Sequence, residues 1–233
     1  MAFVHGKGAG VLVGAYDLSA FLNNWEAAAT ADTAEVTCFG GSNKAYIGGL
    51  KDATLSLSGF FDGAAGAVDP VLAAALGGSR LFTLAPAGVG TIGNRVQIAS
   101  ALETSYNITA PVADAVSISA EGQVSDGLVS GVLLANLTAR TAAGQTSSVD
   151  NSASTSAGYR ASLHLVAFTG TDVTVKVQES ANNSSWADLV TFTQLTAIGS
   201  ELKTGTGTVA RYLRVDVSGT FTTVTFAVGF ARL

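Results

Sequence analysis

The sequence is poor in the residue types that cross-link, kink or charge a protein. Its 233 residues include one cysteine, three prolines and two histidines, and only 12% of them are charged. The single cysteine, Cys38, excludes an intramolecular disulfide, and one thiol with two histidines leaves no expected zinc site. We therefore predict a fold without disulfide or metal cross-links.

Long apolar runs and a leader sequence are also missing. No stretch approaches the roughly 20 apolar residues of a membrane-spanning helix, although the mean hydropathy is +0.39. The first residues, MAFVHGKGAG, lack the basic-then-apolar order of a signal peptide. We expect no membrane insertion, assembly in a cytoplasm, and burial of the apolar surface against other protein.

No group of residues forms a recognisable catalytic motif. His5 lies in a Gly-rich stretch, and His164 is predicted on the exposed polar face of a strand, away from any acid–base pair. The segment 88–93 (GVGTIG) matches the GxGxxG fingerprint, but a predicted strand follows it where nucleotide binding requires a helix. We predict neither an enzyme nor a bound cofactor.

Alternation of apolar and polar residues predicts a mainly β protein. In the segment 53–61, Leu55, Leu57 and Phe61 lie on one side and hydroxyl residues on the other. Long strands are predicted over 94–110, 116–125 and 127–137, the last two forming a hairpin that turns at the Asp-Gly pair 126–127. Segments 116–125 and 127–137 contain no Lys, Arg or Pro, which indicates strand edges that are meant to be paired.

One short helix is predicted, and a second segment is ambiguous. Asp69 is the expected N-cap and Pro70 lies in the first turn, followed by an apolar stripe and the stop signal 77–78 (GG). The stripe consists of Val71, Leu72, Ala75 and Leu76. In the segment 17–26 the spacing of the apolar residues after Asp17 fits a helix, but a strand remains open.

The stretch 142–158 (AAGQTSSVDNSASTSAG) is small and polar and predicts a linker between domains 1–141 and 159–233. The second domain is predicted as a small antiparallel β-sandwich with strands at 160–168, 173–179, 186–192, 210–217 and 223–231. Residues 1–150 carry 12 acidic against 6 basic residues. This imbalance disfavours nucleic-acid binding by attraction.

The order of motifs over residues 14–134 resembles the tail tube (major tail) proteins of long-tailed bacteriophages. The motifs are AYDLSAFLNNW, ATADTAEVTCFGGSNKAYIGGLKD, ATLSLSGFFDG, DPVLAAALGG and ETSYNITAPVADAVSISAEGQ. In that family the segment matching 17–26 begins a strand, so the resemblance favours a strand there. The chain departs from the family at 46–49, where YIGG replaces a Tyr-Ile-Pro-Gly-type turn.

The resemblance implies a structural virion protein that works by self-assembly. Six subunits would join sheet to sheet around an inner β-barrel, and stacked rings would form the tail tube through which DNA passes during ejection without specific binding. The hairpin 94–137 would line this tube, with Glu103, Glu121 or Gln123 facing the lumen. Further partners implied are the tape measure, tail terminator and tail tip proteins, and the place of the protein is the virion tail.

Contacts between rings are assigned by the same resemblance. The segment 28–46 would be the stacking loop, and residues 1–15 would be an arm that also bridges rings. The candidate stacking residues are Ala31, Asp32, Thr33, Glu35, Cys38, Phe39, Asn43 and Tyr46.

The C-terminal part has a resemblance of its own. Segments 180–189 (SANNSSWADL) and 211–217 (RYLRVDV) resemble discoidin-like carbohydrate-binding sandwiches and phage decoration domains. This implies an outer domain tethered by 142–158, with Trp186 and Tyr212 as candidate ligand contacts. It also supports an alternative function, a capsid or tail decoration or adhesion protein that binds surface glycans. Aromatic residues in sandwiches are more commonly buried anchors.

Overall fold

The computed structural model describes residues 4–233, so Met1–Phe3 of the expected N-terminal arm lie outside the described residues. The fold is mainly β, as predicted, with one short α-helix. The strands are β1 Gly10–Val13, β2 Tyr16–Asp17, β3 Leu22–Glu35, β4 Tyr46–Phe60, β5 Ser79–Ala85, β6 Arg95–Thr109, β7 Ser117–Arg140, β8 Gly144–Gln145, β9 Val149–Asp150, β10 Tyr159–Ser180, β11 Ala187–Thr191, β12 Gly199–Gly205 and β13 Tyr212–Arg232. The helix is α1, Val68–Ala73, and all strand pairs are antiparallel.

The strand β7 runs without a turn through the Asp-Gly pair at which a hairpin was predicted. Asp126 and Gly127 do have positive φ angles, 60° and 79°. However, Ser125 and Val129 pair with residues of β6 that are only two apart, so three residues of β7 lie opposite one of β6. The pair therefore forms a β-bulge. The predicted hairpin is wrong because the partner β6 continues past it.

Two sheets enclose the N-terminal core, and β6 and β7 link them. We call the first the open sheet; its order is β3, β4, residues 117–123 of β7 and residues 103–109 of β6. We call the second the covered sheet; it contains β2, β1, β5 and residues 95–102 of β6. Apolar residues of both sheets and of α1 share one buried core.

A third layer packs on the other face of the covered sheet. Leu81, Ala85 and Ile98 of the covered sheet form a buried cluster with Ala227 and Ala231 of β13. The strands β10 and β13 pair along almost their whole length, and residues from both halves of this ribbon share a separate core. Predicted strands 160–168 and 173–179 are thus one strand, as are 210–217 and 223–231, while β12 was not predicted.

The segment 142–158 is not a free tether, contrary to the linker interpretation. Its strands β8 and β9 pair with β13, and Thr155 exchanges two backbone hydrogen bonds with Val209. In addition, β7 pairs directly with β13. The domain boundaries remain a prediction, but the two parts of the chain are joined by a strand ladder and by a packed layer.

The helix is where it was predicted, but its cap is different. Ala67 is the N-cap, and no side chain caps the helix. The Asp69 carboxylate instead accepts a hydrogen bond from the Tyr106 hydroxyl at 2.6 Å. Leu76 is exposed, whereas the other residues of the predicted stripe are buried. In the segment 17–26 no helix forms, and β3 begins at Leu22, so the preference for a strand is confirmed from that residue on.

Candidate assembly site

The open sheet has two free edges. Within residues 4–233, β3 pairs only with β4, and residues 104–109 of β6 pair only with β7. Neither edge contains Lys, Arg or Pro, the residues that usually protect an exposed strand from pairing with another chain. The sequence indicated the unprotected segments 116–125 and 127–137. However, residues 117–123 of β7 lie between β4 and β6, and the segment 127–137 pairs with β6 and β13. The edges are therefore other strands.

The hydrophobic core is incomplete at both of these edges. On β3, Trp25 and Ala27 pack against the core but remain partly exposed. On β6, Tyr106 is likewise half-buried and Ile108 is 52% exposed. The strand registers place all four side chains on the core side of the sheet, level with Leu57, Leu55, Ala120 and Ile118. A strand added at either edge would cover them.

The opposite face of the open sheet is polar and acidic. Its residues alternate with the core residues of the four strands and include many Ser, Thr and Asn side chains. Its charged residues in the described chain are Glu26, Asp52 and Glu121. The predicted lumen residues Glu121 and Gln123 lie here, and Gln123 donates to the Asp52 carboxylate.

The third lumen candidate, Glu103, is on the wrong face. Its side chain is only 2% exposed and lies on the core side of β6, opposite Gly122. A β-bulge between Glu103 and Ser105 shifts the alternation of the strand at this point. Burial raises the pKa of Glu103 to about 7, while the charge of Arg80 opposes the shift.

Beyond the open sheet, β3 and β4 continue as a two-stranded arm, residues 31–51. About half of the predicted stacking loop 28–46 is therefore strand, and the other half is the loop 36–45 that joins β3 to β4. The loop is closed by a backbone hydrogen bond from Val36 to Ala45 at 2.8 Å and by a Lys44–Glu35 ion pair at 2.9 Å. The YIGG segment 46–49 lies inside β4 and makes no turn.

The arm exposes apolar side chains on a segment that no other described residue covers. Every residue from 31 to 52 is exposed. Phe39 is fully exposed and Leu50 is 82% exposed. The predicted stacking residues Ala31, Asp32, Thr33, Glu35, Cys38, Phe39, Asn43 and Tyr46 all lie on this arm. Large apolar side chains displayed in this way are typical of a protein–protein contact.

The two aromatic candidates for ligand binding are partly covered by arginine. The Arg214 guanidinium lies 4.2 Å from the centre of the Trp186 ring, and that of Arg211 lies 4.8 Å from the Tyr212 ring. Both aromatic residues are half-buried. The strand β10 separates the two, since Ser180 pairs with Tyr212 and Glu179 pairs with the first residue of β11. A role in sugar binding stays a prediction.

His164 is buried, although the sequence predicted it to be exposed. Its imidazole contacts the Thr83 hydroxyl and the Gly14 carbonyl oxygen, and burial lowers its pKa to about 4. The alternation of the strand could not reveal this burial, because the covered sheet packs on the face of β10 that has polar residues.

In residues 4–233 no three His, Cys, Asp or Glu side chains are placed to hold a metal ion. No described helix is long and apolar enough to cross a membrane.

Comparisons with known proteins give only distant likenesses. No protein-family model and no curated protein sequence matches the chain. A chain from the virion of a native gene transfer agent (GTA) particle is 17% identical, with a TM-score of 0.44, and the match covers 54% of this chain and 97% of that one. A chain from the tail of an empty GTA particle, refined with C6 symmetry, is 16% identical with a TM-score of 0.38, covering 51% and 92%.

A third similar structure is that of the SPP1 phage Dit protein (gp 19.1), which is described as a hub adsorption apparatus. The match covers 96% of this chain and 99% of that one, at 9% identity and a TM-score of 0.39. At these TM-scores none of the three likenesses establishes a family. The function is therefore inferred from the geometry of this chain.

Proposed function

We propose that this protein is a structural, non-enzymatic subunit of a phage-type virion tail that assembles into stacked rings and forms a tube for DNA. One observation carries the proposal. Within residues 4–233 a single sheet has two different free edges, both without Lys, Arg or Pro and both with an incomplete core. Such a sheet is completed by identical neighbours.

The strand directions permit this pairing. The order β3, β4, β7, β6 is antiparallel throughout, so β6 of one copy would run antiparallel to β3 of the next. Because the two edges are different surfaces, the contact is heterologous and generates a ring when the rotation closes. A closed ring has no remaining edges of this sheet. Ring symmetry of six is taken from the family resemblance.

The packing of the edges favours the same arrangement. Pairing would place the half-exposed Trp25 of one copy beside Tyr106 and Ile108 of its neighbour, all on the core side of the sheet. Full burial of a large aliphatic side chain contributes about 1.5–3 kcal/mol. Because Ile108 is 52% exposed, its burial in the contact would contribute about half of this free energy. The interstrand hydrogen bonds would contribute in addition.

The acidic face would then line the tube. The charged groups on this face of the described chain are Glu26, Asp52 and Glu121, all negative. Like charges on wall and DNA prevent the counterion-release binding that would hold DNA in place. The arm 31–51 would reach the neighbouring ring. The tape measure, tail terminator and tail tip proteins are the partners that such a tube requires.

A charge placed on one edge tests the proposal. We expect the wild-type protein to form rings or hollow tubes at high concentration in negative-stain electron microscopy. The variant Ile108→Lys should stay monomeric in sedimentation velocity, because the ammonium group would be buried in the pairing. Its own fold should survive, since this side chain is already 52% exposed.

The variant Thr204→Lys provides the matched control, because it adds the same charge to an exposed site on the edge strand β12. It should assemble like the wild type. Wild-type protein that stays monomeric under every condition, or an Ile108→Lys protein that assembles normally, would contradict the proposal.

A further inference from the structure

Glu103 is a buried carboxyl group that the proposed tube does not use. Its side chain is 2% exposed, and neither carboxyl oxygen has a hydrogen-bond partner among the described residues. A charged carboxylate normally accepts several hydrogen bonds when it is buried. The site therefore suits the neutral, protonated acid.

The space beside the carboxyl group is small and mostly apolar. A cavity of about 10 Å³ is lined by Glu103 together with Leu55, Leu57, Phe82, Ala120, Glu121 and Gly122. A space of this size holds at most one water molecule. One water cannot solvate an ionised carboxylate, so ionisation requires the side chain to move outwards.

The surrounding charges do not compensate for burial. From β5, Arg80 favours the ionised form, but this guanidinium is on an exposed residue and donates to the Ala74 carbonyl oxygen. From β6, the Tyr106 hydroxyl is occupied with Asp69 of α1. From β7, Glu121 lines the cavity but lies on the opposite face of the strand. From β4, only leucine side chains line the cavity.

The position of Glu103 connects it to the free edge of β6. It lies at the β-bulge and directly precedes residues 104–109. Its backbone N–H donates to the Gly78 carbonyl oxygen, and its own carbonyl oxygen accepts from the Gly77 N–H. These bonds hold the last residue of β6 before the edge becomes free. Outward movement of the Glu103 side chain would disturb these two backbone hydrogen bonds.

We propose that Glu103 is a proton-operated lock on the free edge of β6. When protonated, its side chain stays in the core and keeps residues 104–109 in a straight strand that can pair with a second copy. When ionised, the side chain leaves the core and the edge is distorted. The inference rests on the proposed ring assembly. Protonation of Glu103 would make that assembly favourable below neutral pH, and ionisation would make it unfavourable above neutral pH. The raised pKa of Glu103, about 7, agrees with this range.

The free subunit tests the lock without any assembly. Hydrogen exchange of the residue 104–109 amides that bond to β7 is measured at pH 6 and pH 8.5 and normalised to the intrinsic rates. We expect at least tenfold lower protection at the higher pH in the wild type, and equal protection at both values in Glu103→Gln. The control Asp114→Asn removes an exposed carboxylate from the loop between β6 and β7 and should behave like the wild type.

The assembly test uses the same three proteins at the same two pH values. Sedimentation should show wild-type rings or tubes at pH 6 and at least a tenfold higher concentration threshold at pH 8.5. Glu103→Gln should assemble equally well at both. Equal wild-type protection at the two pH values, or the same pH dependence in Glu103→Gln, would overturn the inference. If no protein assembles, the proposed function fails, and the hydrogen-exchange result alone decides on the lock.

Discussion

The imidazole Nε2 of His164 lies 2.8 Å from the hydroxyl oxygen of Thr83, in a fully buried contact between β10 and β5. The other ring nitrogen lies 2.7 Å from the Gly14 carbonyl oxygen, which can only accept, so Nδ1 carries the proton. Nε2 therefore accepts from Thr83, whose oxygen accepts from Ser162 at 3.0 Å. This chain of hydrogen bonds fixes the third layer against the covered sheet.

Removing the Thr83 hydroxyl should destabilise the protein. In Thr83→Val the shape is kept, but Nε2 of His164 and the Ser162 hydroxyl lose their partner inside the layer contact. An unsatisfied buried polar group costs about 1–3 kcal/mol. Urea unfolding should show a loss of this size, while Thr222→Val, at an exposed threonine of β13, should change the free energy of unfolding little. Equal stability of Thr83→Val and the wild type would contradict the assigned network.

Two buried groups should give opposite pH dependences of stability. The pKa of His164 is lowered from 6.5 to about 4, so the unfolded chain binds a proton first and stability falls as the pH drops through this range. The pKa of Glu103 is raised from 4.5 to about 7, so the unfolded chain loses its proton first and stability falls as the pH rises. Each shift corresponds to about 3 kcal/mol at most.

Single variants should separate the pH dependence of stability caused by His164 from that caused by Glu103. In the wild type they offset each other between about pH 4.5 and 6.5. Glu103→Gln should leave the His164 effect, so its free energy of unfolding should rise with pH over this range. His164→Gln should leave the Glu103 effect and should lose stability as the pH rises. Urea titrations at several pH values measure both, and parallel profiles for the two variants would exclude this assignment.

A side chain at Gly131 should disrupt the pairing of β7 with β13. A Cβ atom built there would lie 2.2 Å from the Phe230 carbonyl oxygen, which is backbone of the paired strand and cannot turn away. Overpacking of this kind costs about 1–3 kcal/mol or more. We expect Gly131→Ala to lower the melting temperature by several degrees. Gly90→Ala is the control, because a Cβ there has nothing within 4 Å in the described residues.

The apolar residues of the arm should matter for stacking and not for folding. In the double variant Phe39→Ser, Leu50→Ser both changed side chains are exposed, so the free energy of unfolding should change by less than about 0.5 kcal/mol for each substitution. If the arm contacts the next ring, electron microscopy should show single rings in place of tubes. Ile198→Ser alters an exposed apolar residue of the C-terminal part and should leave the tubes intact. Tubes of normal length in the double variant would remove the arm from the assembly contact.

Local sequence patterns predicted much of the secondary structure. The alternation around Leu55 and Leu57 marks a strand wherever it is placed, and the Asp-Pro signal marks the start of a helix. The absence of Lys, Arg and Pro from 116–125 and 127–137 wrongly indicated free edges there, because β7 pairs with neighbouring strands and the free edges belong to β3 and β6. An Asp-Gly pair permits both a turn and a bulge, and the partner β6 decides between them at residues 126–127.

The mainly β fold and the short helix could be predicted from local patterns, because each depends on residues that are neighbours in the chain. The burial of His164 and Glu103 and the identity of the free edges could not, because they depend on contacts between distant segments. A period of two shows which side chains share a face of a strand. Whether that face is covered depends on strands distant in the chain, such as β5 against β10.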